Sequence, residues 1–280
     1  MIDDAKAAHK LAELLRLGAL KPVHHSDSDE RQGFKELVQR YHDVTKQLTR
    51  HKNKVKAKFR AHAIPCPGDS VFNPDPDNRD AWLRKLDGEA VQICVQLLWE
   101  TLDHLAHQRD ELLCHIRRLA RQFPQVGRFQ QLPGIGLIRA ATFFALIDTP
   151  HRFRTQGKLW VYCGIGIARA RSGQSSGPEH LTYFGNRRLK EAAKGAALCA
   201  IKVGSNPFAT KYRRQLDEGM APELARLSVA RSIVNTISAM WRRDEEYQPD
   251  RPNPWKDDRR RPTTTAAMNE NVLATATPDD

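Results

Sequence analysis

Long apolar runs are missing from the 280-residue sequence. The longest, Ala140 to Ile147, contains a threonine and falls far short of the roughly 20 residues a membrane span requires. Clustered cysteines are missing too. Cys66, Cys94, Cys114, Cys163 and Cys199 never come within four residues of one another, which excludes zinc-ribbon and CxxC spacings and predicts reduced thiols used as small buried hydrophobes. The opening MIDDAKAAHK has no apolar stretch behind a basic one, so no secretory signal is expected. Acidic residues are the minority: 33 Asp and Glu face 45 Lys and Arg, a formal net charge of +12. Hydrophobic residues, at 40%, are still enough for a core and argue against wholesale disorder. A soluble, basic, cytoplasmic protein is expected, longer than one small domain needs and shorter than two large ones.

The basic surplus is concentrated. His151 to Gln215 carries thirteen Lys and Arg against Glu179 and Glu191, a local net of +11. Lys35 to Arg60 carries nine against Glu36 and Asp43, a local net of +7. Together these exceed the charge of the whole chain, so the remainder is net acidic. Two dense basic segments point to a polyanionic partner, most simply nucleic acid. For Lys35–Arg60 alone, a solvated helix face explains the charge equally well.

Hydropathy predicts a mostly α fold. Residues 8–18 predict a short helix stopped by Gly18. A long helix follows, with Ser28 or Asp29 as its cap. Phe34, Leu37, Tyr41, Val44, Leu48, His51, Val55 and Phe59 recur at steps of three and four, a heptad seam. The Pro-rich IPCPGDSVFNPDPDN cannot continue it. Val95, Leu98, Leu102, Leu105, Leu112, Ile116, Leu119 and Phe123 repeat the pattern, with Arg109 at the skipped position. The two seams predict an antiparallel coiled-coil hairpin over 31–123, an arm on the order of 40 Å long. Beyond Phe123, shorter glycine-punctuated helices predict a compact helical domain over 124–248. Its last helix places Leu224, Leu227, Ile233, Ile237 and Met240 or Trp241 on one face. No convincing run of strands is evident, and residues 249–280 predict a disordered tail.

Two segments carry chemistry. Leu132-Pro133-Gly134-Ile135-Gly136, followed by a helix with Arg139 and Ala140, fits a helix-hairpin-helix. In that motif a Gly-x-Gly turn offers backbone N–H groups to a phosphate without reading sequence. A ligand-free helix–helix turn is the plainer alternative. The second segment runs Ile165-Gly166-Ile167-Ala168-Arg169-Ala170-Arg171-Ser172-Gly173-Gln174-Ser175-Ser176-Gly177, then on to Gly185-Asn186-Arg187-Arg188-Leu189-Lys190. A hydroxyl between arginines on a glycine-flexed loop suits attack on a phosphodiester, the cations neutralising the charge that develops. Taken alone, such a loop is more often a flexible linker.

The order LPGIG, a helix, HRF, KLW-YCGIGI, R-SG, GN-RLK and an Ala-rich helix resembles the insertion sequence 110 family of transposases, DEDD/serine recombinases guided by a bridge RNA. The opening HKLAELLRLGALKPVH, the following DSDERQGFKELVQRYHDVTKQ, the later NPF-KYRR-L and the helix ending near Trp241 extend the resemblance over roughly residues 4 to 248. It implies DNA transposition through a covalent protein–DNA intermediate. The implied nucleophile is Ser172, fourteen positions before Asn186, with Ser175 and Ser176 as second choice. Nucleic-acid contacts are expected from Gly134, Gly136, Arg139, Arg169, Arg171, Asn186, Arg187, Arg188 and Lys190. The partners implied are DNA, a structured guide RNA and further copies of the chain joined through the coiled coil, with no membrane.

The same resemblance implies an RNase-H-like nuclease domain whose acidic quartet binds Mg²⁺. Aligned on Leu11-Ala12, Asp4 falls on one member of that quartet and Ala7 on another. Residues 1–30 are thus expected to be the end of such a domain, and the chain a truncated transposase that holds no Mg²⁺ firmly and does not recombine DNA alone. Two alternatives from other classes are a non-catalytic nucleic-acid-binding regulator of a full-length transposase and a coiled-coil scaffold with an incidental basic surface.

Overall fold

Helices dominate the computed structural model, which describes residues 4–19, 26, 28–172, 175–182 and 184–249, with residues 168–180 described by their backbone. The expected tail beyond Pro249 lies outside the described residues. Helix α1 (Asp4–Arg16) buries no side chain, and Leu11 and Leu15 are exposed on it. Helix α2 (Asp29–Ala61) begins at Ser28, whose side-chain oxygen accepts the Arg31 N–H at 3.4 Å and satisfies one donor the first turn leaves unpaired. After the Pro-rich stretch comes short α3 (Pro76–Leu83), capped by Asp75 with proline at its first position. Helix α4 (Glu89–Leu119) then returns along α2.

Three contacts fix the direction of that return. The Phe34 ring lies 5.1 Å from Phe123, the Arg40 guanidinium reaches the Gln108 side chain at 3.5 Å, and Phe59 stands 6.1 Å from Trp99. Early residues of α2 therefore meet the end of α4, and late ones its beginning: the pair is antiparallel. The buried positions follow the heptad seam with informative exceptions. Val38 and Trp99 lie off the seam and are buried, while Leu37, Tyr41 and Leu98 on it are only half-buried. Both exceptions occur where a third element joins the two helices. At the root, α6 (Leu137–Ile147) packs on α2 and closes over Val38. At the tip, residues 71–86 fold back over the helices. Trp99 is enclosed there beside Phe59, Trp82 and Val71, its indole N–H donating to the Val71 carbonyl at 2.9 Å. His51, the polar interruption, is half-buried and donates from Nδ1 to the Gln47 carbonyl at 3.0 Å.

The root of the pair belongs to the main core, so the arm and the compact domain do not separate at residue 123. Phe34, Val38, Ile116 and Phe123 join one apolar cluster with α5 (Pro124–Phe129), α6, α7 (Gln156–Tyr162), α8 (Arg187–Val203), α9 (Pro207–Asp217) and α10 (Pro222–Arg243). A ladder of rings crosses it: Phe123 lies 4.8 Å from Phe144, and Phe144 stacks 5.4 Å from Trp241. Arg31 lies 4.8 Å over Phe144 and pairs with Asp148, tying the first turn of α2 to the end of α6. Helix α10 is buried on most sides between α8 and α9. Leu224, expected on its buried face, is 58% exposed because it sits on the first turn, ahead of those contacts.

The departure from the helical class is a two-stranded antiparallel hairpin, β1 (Ile167–Ser172) and β2 (Ser175–Leu181), in the segment expected to be a loop. Among the cysteines, Cys163 is buried, and burial pushes its thiol up to about 12. Cys94 and Cys114 stand exposed on α4, where the expectation of buried thiols does not hold. No helix among the described residues is long and apolar enough to cross a membrane.

The tip of the arm has its own core, and Trp99 is its largest fully buried side chain. Trp99→Ala deletes that ring and strands the Val71 carbonyl, a loss of about 3–5 kcal/mol. Chemical denaturation should show this, while Glu100→Ala on the exposed face stays within about 0.5 kcal/mol.

Candidate nucleic-acid interface

The turn LPGIG joins α5 to α6, as its glycines suggest, but the two glycines do different work. Gly134 adopts φ +85°, and a Cβ there would lie 2.2 Å from the Ala196 carbonyl oxygen and 2.8 Å from the Ala200 nitrogen. Its place is against the backbone of α8, whose alanines Ala192, Ala193, Ala196, Ala197 and Ala200 are all buried and leave room for that approach. Arg139 completes the clamp: its Nη1 donates to the Gly134 carbonyl at 2.8 Å and to Cys199 Sγ at 3.2 Å. Packing accounts for Gly134 and Arg139, both expected at a phosphate. Gly136 differs from them, being exposed at the N-cap of α6 with open space where a Cβ would stand.

The β-hairpin is held at its root. The Thr182 N–H donates to the Gly166 carbonyl at 3.0 Å, and the Asn186 N–H to the Tyr162 carbonyl at 2.7 Å. Gly185, at φ +133°, lies so close to the preceding turn that a Cβ would stand 2.6 Å from Gly164 backbone atoms and from the Val161 carbonyl oxygen. From α10, Arg231 Nε donates to the Ile165 carbonyl at 2.8 Å, and from α7 the Trp160 indole donates to Asn235 Oδ1 at 2.8 Å.

Register then places the candidate serines. Ile167 pairs with Leu181, Arg169 with Glu179, Arg171 with Ser176 and Ser172 with Ser175, with an irregularity between Arg169 and Arg171. Ser172, Ser175 and Ser176 thus share the far end of one hairpin, with Arg171 directly opposite Ser176. Ser172 and Ser175 are partners across the ladder, so the two serine elements are neighbours along the backbone of one hairpin. Gly173 and Gln174 between them lie outside the described residues.

Asn186 caps α8: its Oδ1 accepts the N–H groups of Arg188 and Leu189 at 3.0 and 3.2 Å. The cations beside it divide in the same way. Arg188 reaches across to Asp43 of α2 at 2.6 Å and serves the junction of arm and domain. Arg187 is highly exposed and pairs with Glu191 at 3.0 Å. Lys190 and Lys194 make no ion pair with a described residue and line a cavity of about 340 Å³ together with Gly164, Thr182, Phe184 and Gly185. Phe184 and Lys194 escaped the sequence analysis, because a lone aromatic and one lysine of an amphipathic helix carry no periodic signal.

Asp4 is exposed at the first turn of α1, and no three His, Cys, Asp or Glu side chains among the described residues come together to hold a metal ion. These residues do not fit the Mg²⁺ site that the resemblance implies.

His42, in α2, faces this junction. Thr142 Oγ1 donates to the Ile138 carbonyl at 2.6 Å, which leaves it to accept from His42 Nε2–H at 2.8 Å. Burial, and then the Arg188 charge, lower the histidine pKa below its ordinary 6.5, against the opposing pull of Glu191 and Asp43. A histidine held neutral in the fold stabilises it above the ordinary pKa, and that contribution is lost as pH falls through the lowered one. The melting temperature should therefore fall more steeply from pH 7 to pH 5 in the native chain than in His42→Gln.

Residues 126–213, from α5 through most of α9, match the family model described as "Transposase IS116/IS110/IS902 family". The chain is similar to the "Insertion element IS110 uncharacterized 43.6 kDa protein" of Streptomyces coelicolor, with 29% identity over 159 residues covering 56% of this chain and 39% of the relative. It is also similar to the "Insertion element IS116 uncharacterized 44.8 kDa protein" of Streptomyces clavuligerus, at 27% over 134 residues, 48% of this chain and 33% of the relative. The "Putative transposase y4qE" of Sinorhizobium fredii matches at 26% over 188 residues, 65% of this chain and 44% of the relative. In each case the matched stretch spans less than half the relative's length. The chain is thus similar to this family over part of its length, and the family-model match takes in the turn, the hairpin and α8.

Proposed function

We propose that this chain is a DNA-binding transposase whose serine hairpin attacks a phosphodiester. The observation that carries the proposal is the hairpin register, which gathers Ser172, Ser175 and Ser176 at one end and sets Arg169 and Arg171 along the same strand. Serine Oγ would form a bond to phosphorus as the strand's own P–O bond breaks. The leaving oxygen takes up a proton, and energy is kept in the new phosphoester. The arginines would offset the charge that builds on the phosphoryl oxygens. Ser172 is the favoured nucleophile.

Around that centre, the pair α5–turn–α6 is proposed to act as a helix-hairpin-helix, meeting DNA backbone at the exposed Gly136 end of α6. Helices α2 and α4 form a coiled-coil arm that sets the distance between copies of the chain. Ile93 and Leu97 support this role: they are 46% and 56% exposed on one face of α4, an apolar stripe suited to a second copy. The guide RNA and Mg²⁺ rest on the family resemblance alone, with the metal-binding carboxylates supplied by another polypeptide segment. A non-catalytic DNA-binding regulator is the second reading, favoured by the lack of a metal-ligand cluster among the described residues.

Denaturing electrophoresis tests the proposal. The chain is incubated with DNA, Mg²⁺, guide RNA and a relative's N-terminal half, beside Ser172→Ala, Ser175→Ala and Ser176→Ala. A covalent protein–DNA adduct lost in Ser172→Ala alone is expected. No adduct, with DNA binding that still weakens with salt at a log–log slope of about −0.9 per phosphate contact, selects the regulator. For the arm, Ile93→Lys with Leu97→Lys should shift the chain to monomer in sedimentation without loss of helix content.

A further inference from the structure

Phe184 is the most exposed of the large hydrophobic side chains described, with 82% of its surface open to solvent. An exposed Phe on a wandering loop would need no explanation, but this loop is pinned. The Phe184 N–H donates to Thr182 Oγ1 at 3.2 Å, and that hydroxyl donates in turn to the Phe184 carbonyl at 3.2 Å. Thr182 itself is buried and bonded to Gly166 through its backbone. On the other side Gly185 is wedged against Gly164 and Val161 with no room for a Cβ, and Asn186 is bonded to Tyr162. Among the described residues, Phe184 is thus tied to Thr182 and followed by a wedged glycine and a bonded asparagine, and its ring stands open to solvent.

The surroundings indicate what such a ring meets. It borders the cavity of about 340 Å³ that Lys190 and Lys194 also line. Glu191, the acid of that cavity, is engaged by Arg187 at 3.0 Å, so the rim is left with the charge of two lysines. A small anion alone would need the ammoniums but no aromatic surface. The other lining residues of this cavity are glycines, a buried threonine and charged side chains, so its own described apolar surface is one phenyl ring. One flat apolar face beside two cations matches a nucleotide: a base for the ring and a phosphate for the lysines. In a duplex both faces of a base are covered by its neighbours, so only an unpaired base offers a free face.

We infer that Phe184, Lys190 and Lys194 seat one unpaired nucleotide of a nucleic-acid strand at the root of the serine hairpin. The base lies on the Phe184 ring and its phosphate between the two ammoniums. The seat rests on the nucleic-acid-binding role proposed above and adds that the strand is locally unpaired next to the serines. It serves a single-stranded DNA segment and an RNA loop by the same chemistry.

Fluorescence anisotropy on the full chain tests it with three probes of one sequence: a DNA single strand, the matching RNA and the DNA duplex. Phe184→Ala, at so exposed a position, should fold with an unchanged melting temperature. It should weaken single-strand binding by roughly ten- to a hundred-fold, the measured range for losing one base–aromatic stack, and Phe184→Trp should restore it. The single strand that loses more, DNA or RNA, names the natural occupant. Lys190→Gln combined with Lys194→Gln should flatten the single-strand salt slope by about 0.7, the share of one phosphate, while Phe184→Ala leaves that slope unchanged. An equal loss on duplex and single strand, or no loss on either single strand, overturns the seat and leaves the proposed DNA-binding role standing. Failure of the native chain to bind any of the three probes overturns that role itself.

Discussion

Two stretches of backbone lie against each other at the root of the β-hairpin with no side chain between them, and the candidate site depends on that contact. Gly185 occupies a position where any Cβ would strike Gly164 and Val161, and hydrogen bonds from Thr182 to Gly166 and from Asn186 to Tyr162 flank it. Without this contact the strands would leave the domain as a tether, and the serines at their far end would have no fixed relation to the cations of α8. With it, Arg231 and Trp160 connect the same root to α10, half of whose residues are buried. A root held in place in this way is what the proposed attack on a phosphodiester would need, since the serines would have to be set at a fixed distance from it.

A second close approach serves the same purpose from the other side. Gly134 presses into α8 between Ala196 and Ala200, and Arg139 holds it there. Helix α8 is thereby fixed along its buried face, while its opposite face carries Arg187, Lys190 and Lys194 toward solvent. Arg188 links the same helix to Asp43 at the root of the arm. One helix therefore joins the LPGIG turn, the hairpin and the arm. The clustering of basic residues in two sequence segments has a spatial counterpart here, since Lys35–Arg60 lies on α2 and His151–Gln215 contains α7, the hairpin, α8 and most of α9.

Much of this was legible in the sequence where a period was present. The seams of α2 and α4 identified both long helices, the Pro-rich break between them and most buried positions. Val38 and Trp99 escaped because their burial comes from a third element, which a two-helix period does not encode. The hairpin escaped for another reason. IARARS and SSGPEHL hold a single β-branched residue, Ile167, and the second also holds a glycine and a proline, so the strand signal is weak, and a glycine- and serine-rich segment looks the same whether paired or free. The LPGIG signal located a real turn, and its first glycine is required by close contact with α8, which the motif does not reveal. Phe184 carried no pattern at all. Its meaning comes from the combination of an exposed ring with hydrogen bonds to Thr182 and a wedged Gly185, which only three dimensions reveal.

The central claim is that nucleic acid lies across the hairpin root and the exposed face of α8, with the arm standing clear of it at its tip. Photo-crosslinking with bromodeoxyuridine-substituted DNA, read by peptide mass spectrometry, tests this most directly. The account predicts crosslinks confined to peptides within residues 164–194 and the turn at 130–136. Crosslinks concentrated at residues 62–88, at the tip of the arm, would contradict it.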